Sequence, residues 1–455
     1  MQINPQIYRE YDIRGVVDKD LTPAIVKRLG QGFGTSMIQH NKLNLVVGRD
    51  GRLSSKSFAE ALTEGLLSTG CHVTDIGLCP TPVYYFSIFH LDKDGGMVVT
   101  GSHNPPEFNG FKVSVGKSTI FGEEIQGLGR LIEKGKFASG KGSLGREEII
   151  RPYQDYIKKN IHLEKKMRVV IDAGNGTAGP VAGPLLKGLG CELEELYCEV
   201  DGRFPNHFPD PTLPGNLKDL IDRVRKTRAD VGIGYDGDAD RIGVVDDQGN
   251  ILWGDQLMIL FSREILKVRK GATFVAEVKC SQNLYHDIEK HGGKAIMWRT
   301  GHSLIEEKMR EEKAALGGEM SGHIFFADRY FGYDDAIYAS CRLIELLSKT
   351  DQKLSRLLSD VPKTFITPEI RVECPDEIKF KVVDIAKEAL RKDYPVIDVD
   401  GARVKFEDGW GLVRASNTQP VLVLRFEALT QDRLDEIRGF VEKKVQEAVS
   451  ALKGH

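Results

Sequence analysis

One cadence recurs along the chain and constrains its fold more than any other feature. Leu45-Val46-Val47-Gly48-Arg49-Asp50 is an apolar run that ends in glycine and charge. Arg168-Val169-Val170-Ile171-Asp172-Ala173-Gly174-Asn175-Gly176 repeats it, and Thr273-Phe274-Val275-Ala276-Glu277-Val278 is a third instance. A helix-length segment follows, such as Ser57 to Thr69 or Gly179 to Gly188, and then a second apolar run. This alternation argues for βαβ units and a largely parallel sheet. Three units in series predict three similar α/β domains, in keeping with 455 residues and a prior of ~150 residues per domain. Toward the end the pattern changes. Ile366 to Glu373, Ala402 to Phe406, Gly411 to Arg414 and Val421 to Ala428 read as strands, and Ile378 to Arg391 and Leu434 to Leu452 as helices, which predicts a terminal α+β domain. The Gly-rich stretch from Gly135 to Gly145, the turn Gln248-Gly249-Asn250 and Pro362 mark the joints. The expected domains are therefore 1–148, 149–249, 250–362 and 363–455.

Composition narrows the classes of function. The net charge of −3 leaves no nucleic-acid footprint. No apolar run approaches the ~18 residues that span a bilayer, so no membrane association is expected. Met1-Gln2-Ile3-Asn4-Pro5 lacks the charged start and apolar core of a secretory signal. The seven cysteines are scattered and form no C-x-x-C pair, which reads as reduced, mostly buried thiols in a cytoplasmic protein.

Four segments carry chemistry. Met97-Val98-Val99 reads as a strand that stops at Thr100-Gly101, and Pro105-Pro106 keeps a helix from starting. Ser102 and His103 then sit on a loop at the carboxyl end of a strand, where open α/β sheets bind ligands. Lys112 returns after the turn Asn109-Gly110, so a hydroxyl, an imidazole and an ammonium can converge on an anion. A polar surface turn is the plainer alternative. Asp236, Asp238 and Asp240 alternate after the apolar run Val231 to Gly234 and would repel one another without a divalent cation. All-oxygen ligands suit Mg²⁺. An EF-hand is excluded, because its glycine position holds Arg241 and its terminal glutamate position holds Asp247. Glu319 and Ser321 alternate in the same way and could hydrogen-bond two neighbouring hydroxyls of a sugar. Arg414, Ser416, Asn417 and Thr418 lie between two expected strands and suit a phosphate. A serine hydrolase is a poor fit, since Thr100 and Asn104 stand where Gly-x-Ser-x-Gly requires glycine.

Together these residues resemble one family, the α-D-phosphohexomutases, over essentially the whole chain. Thr-Gly-Ser-His-Asn-Pro-Pro around Ser102 is similar to its phosphoserine loop and Asp-Gly-Asp-Ala-Asp-Arg at 236–241 to its metal loop. Gly-Glu-Met-Ser-Gly-His at 318–323 is similar to its sugar-binding loop and Arg-Ala-Ser-Asn-Thr-Gln-Pro at 414–420 to its phosphate-binding loop. Tyr11-Asp12-Ile13-Arg14-Gly15, Val47 to Asp50, Pro205-Asn206-His207 and Thr300-Gly301-His302-Ser303 add agreement. The resemblance implies three α/β domains with mixed sheets and a smaller fourth, heart-shaped around a central cleft. It implies an isomerase that moves a phosphoryl group between hexose 1-phosphate and hexose 6-phosphate through phosphorylated Ser102 and a hexose 1,6-bisphosphate. Mg²⁺ would be held by Ser102, Asp236, Asp238 and Asp240, with glucose 1,6-bisphosphate as activator. Lys112, His323 and His302 become candidates for proton transfer, Arg14 and Arg241 for stabilising the phosphoryl group, and Tyr11 and Lys279 for touching the substrate. Which group is the general base stays open. Met320 stands where glucosamine-phosphate mutases usually have Gln, which points to the bacterial phosphomannomutase/phosphoglucomutase branch. The alternatives are a phosphoglucosamine mutase and a phosphoserine-dependent sugar phosphatase. No apolar interface stripe stands out, so a monomer or weak dimer is expected.

Overall fold

The computed structural model of the protein describes residues 3–417 and 419–453. The first sheet has seven strands: β1 (Ile13–Val16), β2 (Asn44–Arg49), β3 (His72–Leu78), β4 (Gly95–Val99), β5 (Phe108–Val115), β6 (Ser118–Thr119) and β7 (Leu144–Arg146). Their order is β1-β5-β4-β2-β3-β7, with β6 beside β5. The second sheet holds β8 (Arg168–Asp172), β9 (Glu192–Leu196), β10 (Val231–Tyr235), β11 (Ile242–Asp246) and β12 (Ile251–Leu252) in the order β12-β11-β10-β8-β9. The third holds β13 (Thr273–Glu277), β14 (Lys294–Trp298), β15 (Leu316–Gly318) and β16 (Ile324–Phe326) in the order β14-β13-β15-β16.

These three sheets share one plan. Each contains three neighbouring parallel strands (β4-β2-β3, β10-β8-β9 and β15-β13-β14), and an antiparallel strand (β5, β11 or β16) follows the last of the three in the chain and pairs beside it. The sheets are therefore mixed, not largely parallel as the periodicity alone predicts. A tight loop, unlike a helical crossover, can only return the chain antiparallel. In each domain that loop lies at the carboxyl end of the parallel strands, and it holds Ser102, the three aspartates, or Glu319 with Ser321.

The fourth sheet is antiparallel throughout: β17 (Phe365–Ile366), β18 (Ile370–Glu373), β19 (Val396–Ile397), β20 (Ala402–Lys405), β21 (Gly409–Ala415) and β22 (Val421–Ala428). The expected strand from Ile366 to Glu373 is broken into β17 and β18 around Thr367-Pro368-Glu369, where proline has no N–H to give to a ladder. The helices Lys379–Arg391 and Gln431–Lys453 cover the sheet.

The Gly-rich stretch at 135–145 is packed rather than slack. A Cβ on Gly142 would sit 1.8 Å from the Cys71 carbonyl, and β7 pairs with β3. One apolar core runs without a break through Tyr84 and Phe86, Tyr153 and Ile171, and Phe274 and Ile344, and so joins the first three domains. The fourth has its own core around Val382, Leu424 and Val441. All seven cysteines are free, and all but Cys198 are buried. Among the described residues no helix is long and apolar enough to cross a membrane.

Candidate active site

The β4–β5 loop is fixed by Asp50, which ends the Val47 to Asp50 motif, and by Arg52, which the sequence did not single out. Asp50, at the end of β2, accepts hydrogen bonds from Gly101 N (3.0 Å), Arg52 N (3.0 Å) and Ser55 Oγ. Arg52 is buried, and its guanidinium donates to four carbonyls of the loop: Ser102 (2.8 Å), Asn104 (2.5 Å), Pro105 (2.6 Å) and Phe108 (3.0 Å). These tethers hold Ser102 at φ +47°, a left-handed conformation that costs a non-glycine residue about 1–3 kcal/mol. The buried Ser102 hydroxyl donates to Asp236 Oδ2 (2.7 Å) and lies 3.0 Å from His103 Nδ1.

The β10–β11 loop supplies that carboxylate. Asp236 Oδ1 accepts from the backbone N–H groups of Asp240 and Arg241, both at 3.1 Å. Asp238 accepts from Thr81 Oγ1 at 2.5 Å. The two loops touch, since a Cβ on Gly237 would lie 2.4 Å from the Ser102 carbonyl. Asp236, Asp238 and Asp240 are fully buried, and their oxygens lie within 4.8 Å of one another. Burial and then repulsion from Asp240 and Asp238 push the Asp236 carboxyl well above the usual carboxylate range. Burial opposes ionisation of Asp240 too, but Lys112, His323 and Arg241 outweigh it and pull its carboxyl below that range.

Lys112 Nζ is bonded to Asp240 and lies 3.5 Å from Asp238. Burial favours loss of its proton, yet those two carboxylates hold the ammonium well above its ordinary value. Three carboxylates and one ammonium leave a formal charge of −2, while Asp238 Oδ1 and Asp240 Oδ1 are buried without a partner. Oxygen donors, that charge and two orphaned oxygens fit a hard divalent cation.

The β15–β16 loop turns through Gly322 at φ +93°. Glu277, at the end of β13, accepts from Met320 N (2.9 Å) as Asp50 does from Gly101 N. Glu319 is buried and accepts from Gly301 N (2.7 Å), with Ser321 Oγ at 3.4 Å. Burial pushes the Glu319 carboxyl up, but His323 and Lys279 bring it below its usual value, so it stays ionised. His323 Nε2 accepts from Arg241 Nε (2.8 Å), and its Nδ1 lies 2.8 Å from Asp334 Oδ2. The His302 ring stacks on that of His323 at 5.7 Å. Burial, then the charge of Lys112, pushes His302 down to about 4, so it is neutral at pH 7.

The fourth domain reaches the same place through Arg414, Ser416 and Asn417; Thr418 lies outside the described residues. Arg414 Nε donates to Asp400 Oδ2 (2.9 Å), which also accepts from Thr300 N (3.0 Å). Asn417 Nδ2 donates to the Tyr11 hydroxyl (2.8 Å), which donates to the Thr300 carbonyl (2.8 Å). Lys279 lies between Glu277 (3.4 Å) and Glu369 (3.2 Å), and Arg14 donates to Asn104 and Asp12. A cavity of about 1280 Å³ is lined by residues of all four domains, including Ser102, Asp240, Glu319 and Arg414. Arg52, Asp334, Asp400 and Glu369 gave no sequence signal of their own. Asp50 did, through its place at the end of the first apolar run.

A buried serine bonded to a three-aspartate loop, in a cleft that the Glu319 and Arg414 loops also line, is the arrangement the resemblance to the α-D-phosphohexomutase class implies. Four sequence profiles match in order, described as "Phosphoglucomutase/phosphomannomutase, alpha/beta/alpha domain I" (residues 5–139), domain II (151–249), domain III (253–365) and "C-terminal domain" (369–444). The chain therefore belongs to the phosphoglucomutase/phosphomannomutase family of α-D-phosphohexomutases. It is 44% identical over 447 residues to the phosphomannomutase/phosphoglucomutase of Pseudomonas aeruginosa, covering 98% of this chain and 96% of that one. It is 43% identical to the phosphoglucomutase of Neisseria gonorrhoeae over 441 residues, covering 96% of each. A crystal structure of a phosphoglucomutase/phosphomannomutase family protein from Burkholderia thailandensis superposes with a TM-score of 0.93 at 41% identity and covers 98% of each chain.

Proposed function

We propose that the protein is a phosphomutase that reversibly converts hexose 1-phosphates of glucose and mannose into the 6-phosphates through phosphorylated Ser102. The bond from Ser102 Oγ to Asp236 carries the reading, because it joins a nucleophilic oxygen to the carboxylate cluster at the floor of the four-domain cleft. Mg²⁺, held by Asp236, Asp238 and Asp240 beside Ser102, would neutralise charge on the transferring phosphoryl group.

The hexose 1-phosphate sets its phosphate against Arg414, Ser416, Asn417 and Thr418. Glu319 and Ser321 take two neighbouring hydroxyls of the ring. A grip on O3 and O4 leaves C2 unread, which accounts for acceptance of both glucose and mannose. The sugar O6 attacks the phosphorus on Ser102; the O6–P bond forms as the Oγ–P bond breaks. Holding these atoms in line is most of what the protein contributes. Arg14 and Arg241 face the transferred group, and Tyr11 and Lys279 border the sugar. His302, whose ring stacks on His323 and whose Nε2 has no hydrogen-bond partner among the described residues, is placed to take the O6 proton, whereas His323 is engaged by Arg241 and Asp334 and Lys112 by Asp238 and Asp240. The bisphosphorylated hexose turns over within the cleft, and its other phosphate returns to Ser102. Water must be excluded meanwhile, since it would hydrolyse the phosphoserine. Glucose 1,6-bisphosphate would prime Ser102 and so act as activator.

The test supplies glucose 1-phosphate, Mg²⁺ and a trace of glucose 1,6-bisphosphate. Glucose 6-phosphate is the expected product; accumulation of free phosphate in its place would identify a phosphatase. Rates on mannose, glucose and glucosamine 1-phosphates decide the branch, with the first two expected to lead.

A further inference from the structure

Five arginines are buried among the described residues: Arg52, Arg342, Arg403, Arg414 and Arg425. Four have clear partners. Arg52 and Arg403 donate to carbonyls, Arg342 to Asp328, and Arg414 to Asp400. The Arg425 side chain has no hydrogen bond and no ion pair among the described residues, although the residue is only 4% exposed, and its Nε is shut off from solvent. An uncompensated charge in such a place is costly. A fold that retains one has a partner that arrives from outside.

The surroundings say what kind of partner. Arg425 lines the four-domain cleft. In the β21–β22 register Arg414 faces Val423 and Leu412 faces Arg425, so the two arginines lie on one face as diagonal neighbours. Such positions are ~7–8 Å apart, within reach of long side chains. Every other cation on this wall is neutralised: Lys279 by Glu277 and Glu369, Arg371 by Glu369, Arg414 by Asp400. Glu427, the carboxylate two residues along the same face, is already used by Ser281 Oγ, Gln282 N, Thr364 Oγ1 and Trp410 Nε1. A cationic fork without a counter-ion, beside the arginine of the phosphate loop, matches the oxygens of a dianion.

We propose that Arg425 is a substrate-binding residue, whose guanidinium takes the non-reacting phosphate of the sugar phosphate together with Arg414. This extends the phosphate site from the β21–β22 loop into the body of β22. The inference rests on the phosphomutase reading.

The experiment pairs melting temperature with kinetics in Arg425→Met and Arg425→Lys. Removing a buried charge that has no partner should raise the melting temperature of ligand-free Arg425→Met by about 2 °C or more. The same variant should have a KM for glucose 1-phosphate raised ~10-fold or more, with kcat within about threefold, and should lose most of the melting shift produced by glucose 1-phosphate. Arg425→Lys, a point charge in place of a fork, should fall between. A lowered melting temperature would assign Arg425 to the framework of the fold and overturn the proposal. An unchanged KM and ligand shift would overturn it as well. Should Arg425→Met not fold, the lysine variant decides, and wild-type KM in it overturns the proposal. Wild-type enzyme that converts no hexose 1-phosphate would instead overturn the phosphomutase reading, which separates the two failures.

Discussion

The β4–β5 loop around Ser102 and the β21–β22 loop around Asn417 do opposite jobs with similar residues. The first is tied at Gly101, Ser102, Asn104, Pro105 and Phe108 by two neighbouring side chains, Asp50 and Arg52, and belongs to a core that runs through three domains. The second sits on a domain with its own core and, among the described residues, reaches the first domain through the hydrogen bond from Asn417 to Tyr11. The difference follows from the work proposed for each. An oxygen that exchanges a phosphoryl group must be in line to within a fraction of an ångström. A site that receives a phosphate from either end of a sugar must let go and take hold again.

Substitutions in each loop test this contrast. Ser102→Ala should have the largest effect: a loss of turnover of ~10³-fold or more with binding of glucose 1-phosphate mostly kept, read by coupled assay and calorimetry. Normal turnover in that variant would end the covalent route. Arg52→Gln tests the rigidity of the first loop. Its kcat should fall ~10²-fold with KM within about threefold, because the reacting oxygen is misplaced while the grip on substrate is intact. A rise in KM alone would show that the tethers serve binding instead.

Asn417→Ala tests the second loop in the opposite sense, and KM should rise several-fold while kcat moves little. The last test concerns the shared core. Glu306, on the helix His302–Glu312 beside β6, is buried, and that burial pushes its carboxyl up to about 8. A carboxyl raised in the folded state contributes stability that is complete below its unfolded value, near 4.5, and is lost as pH rises through 8. Melting temperature should therefore fall as pH rises from about 5 to 8 and level off above that. Glu306→Gln should flatten that decline and gain on the order of 3 kcal/mol at pH 9. A decline unchanged in the variant would place its origin elsewhere.

Much of the site was legible because each loop is short and contiguous. Alternating aspartates, the proline pair after Ser102 and the Arg-Ala-Ser-Asn run each announce their chemistry within a few residues. Strand positions were legible from apolar runs, although Pro368 divided one of them. The supports were not. Arg52 reads as one more charge after a strand, Asp334 as one of two acids before a helix, and Asp400 as part of a polar turn. Lys112 shows the limit most clearly: its sequence position suggested an ammonium near Ser102 and His103, and only the fold shows the two carboxylates beside it.

The four units, their strand and helix cadence and the chemical character of each loop can be read from residue order alone, because periodicity and turn chemistry act over a few residues. The tertiary structure decided which of those residues meet. Ser102 finds Asp236 across 134 positions and Asn417 finds Tyr11 across 406. Charge state, orientation and the need for a partner depend on distances in space, and local pattern carries no record of them.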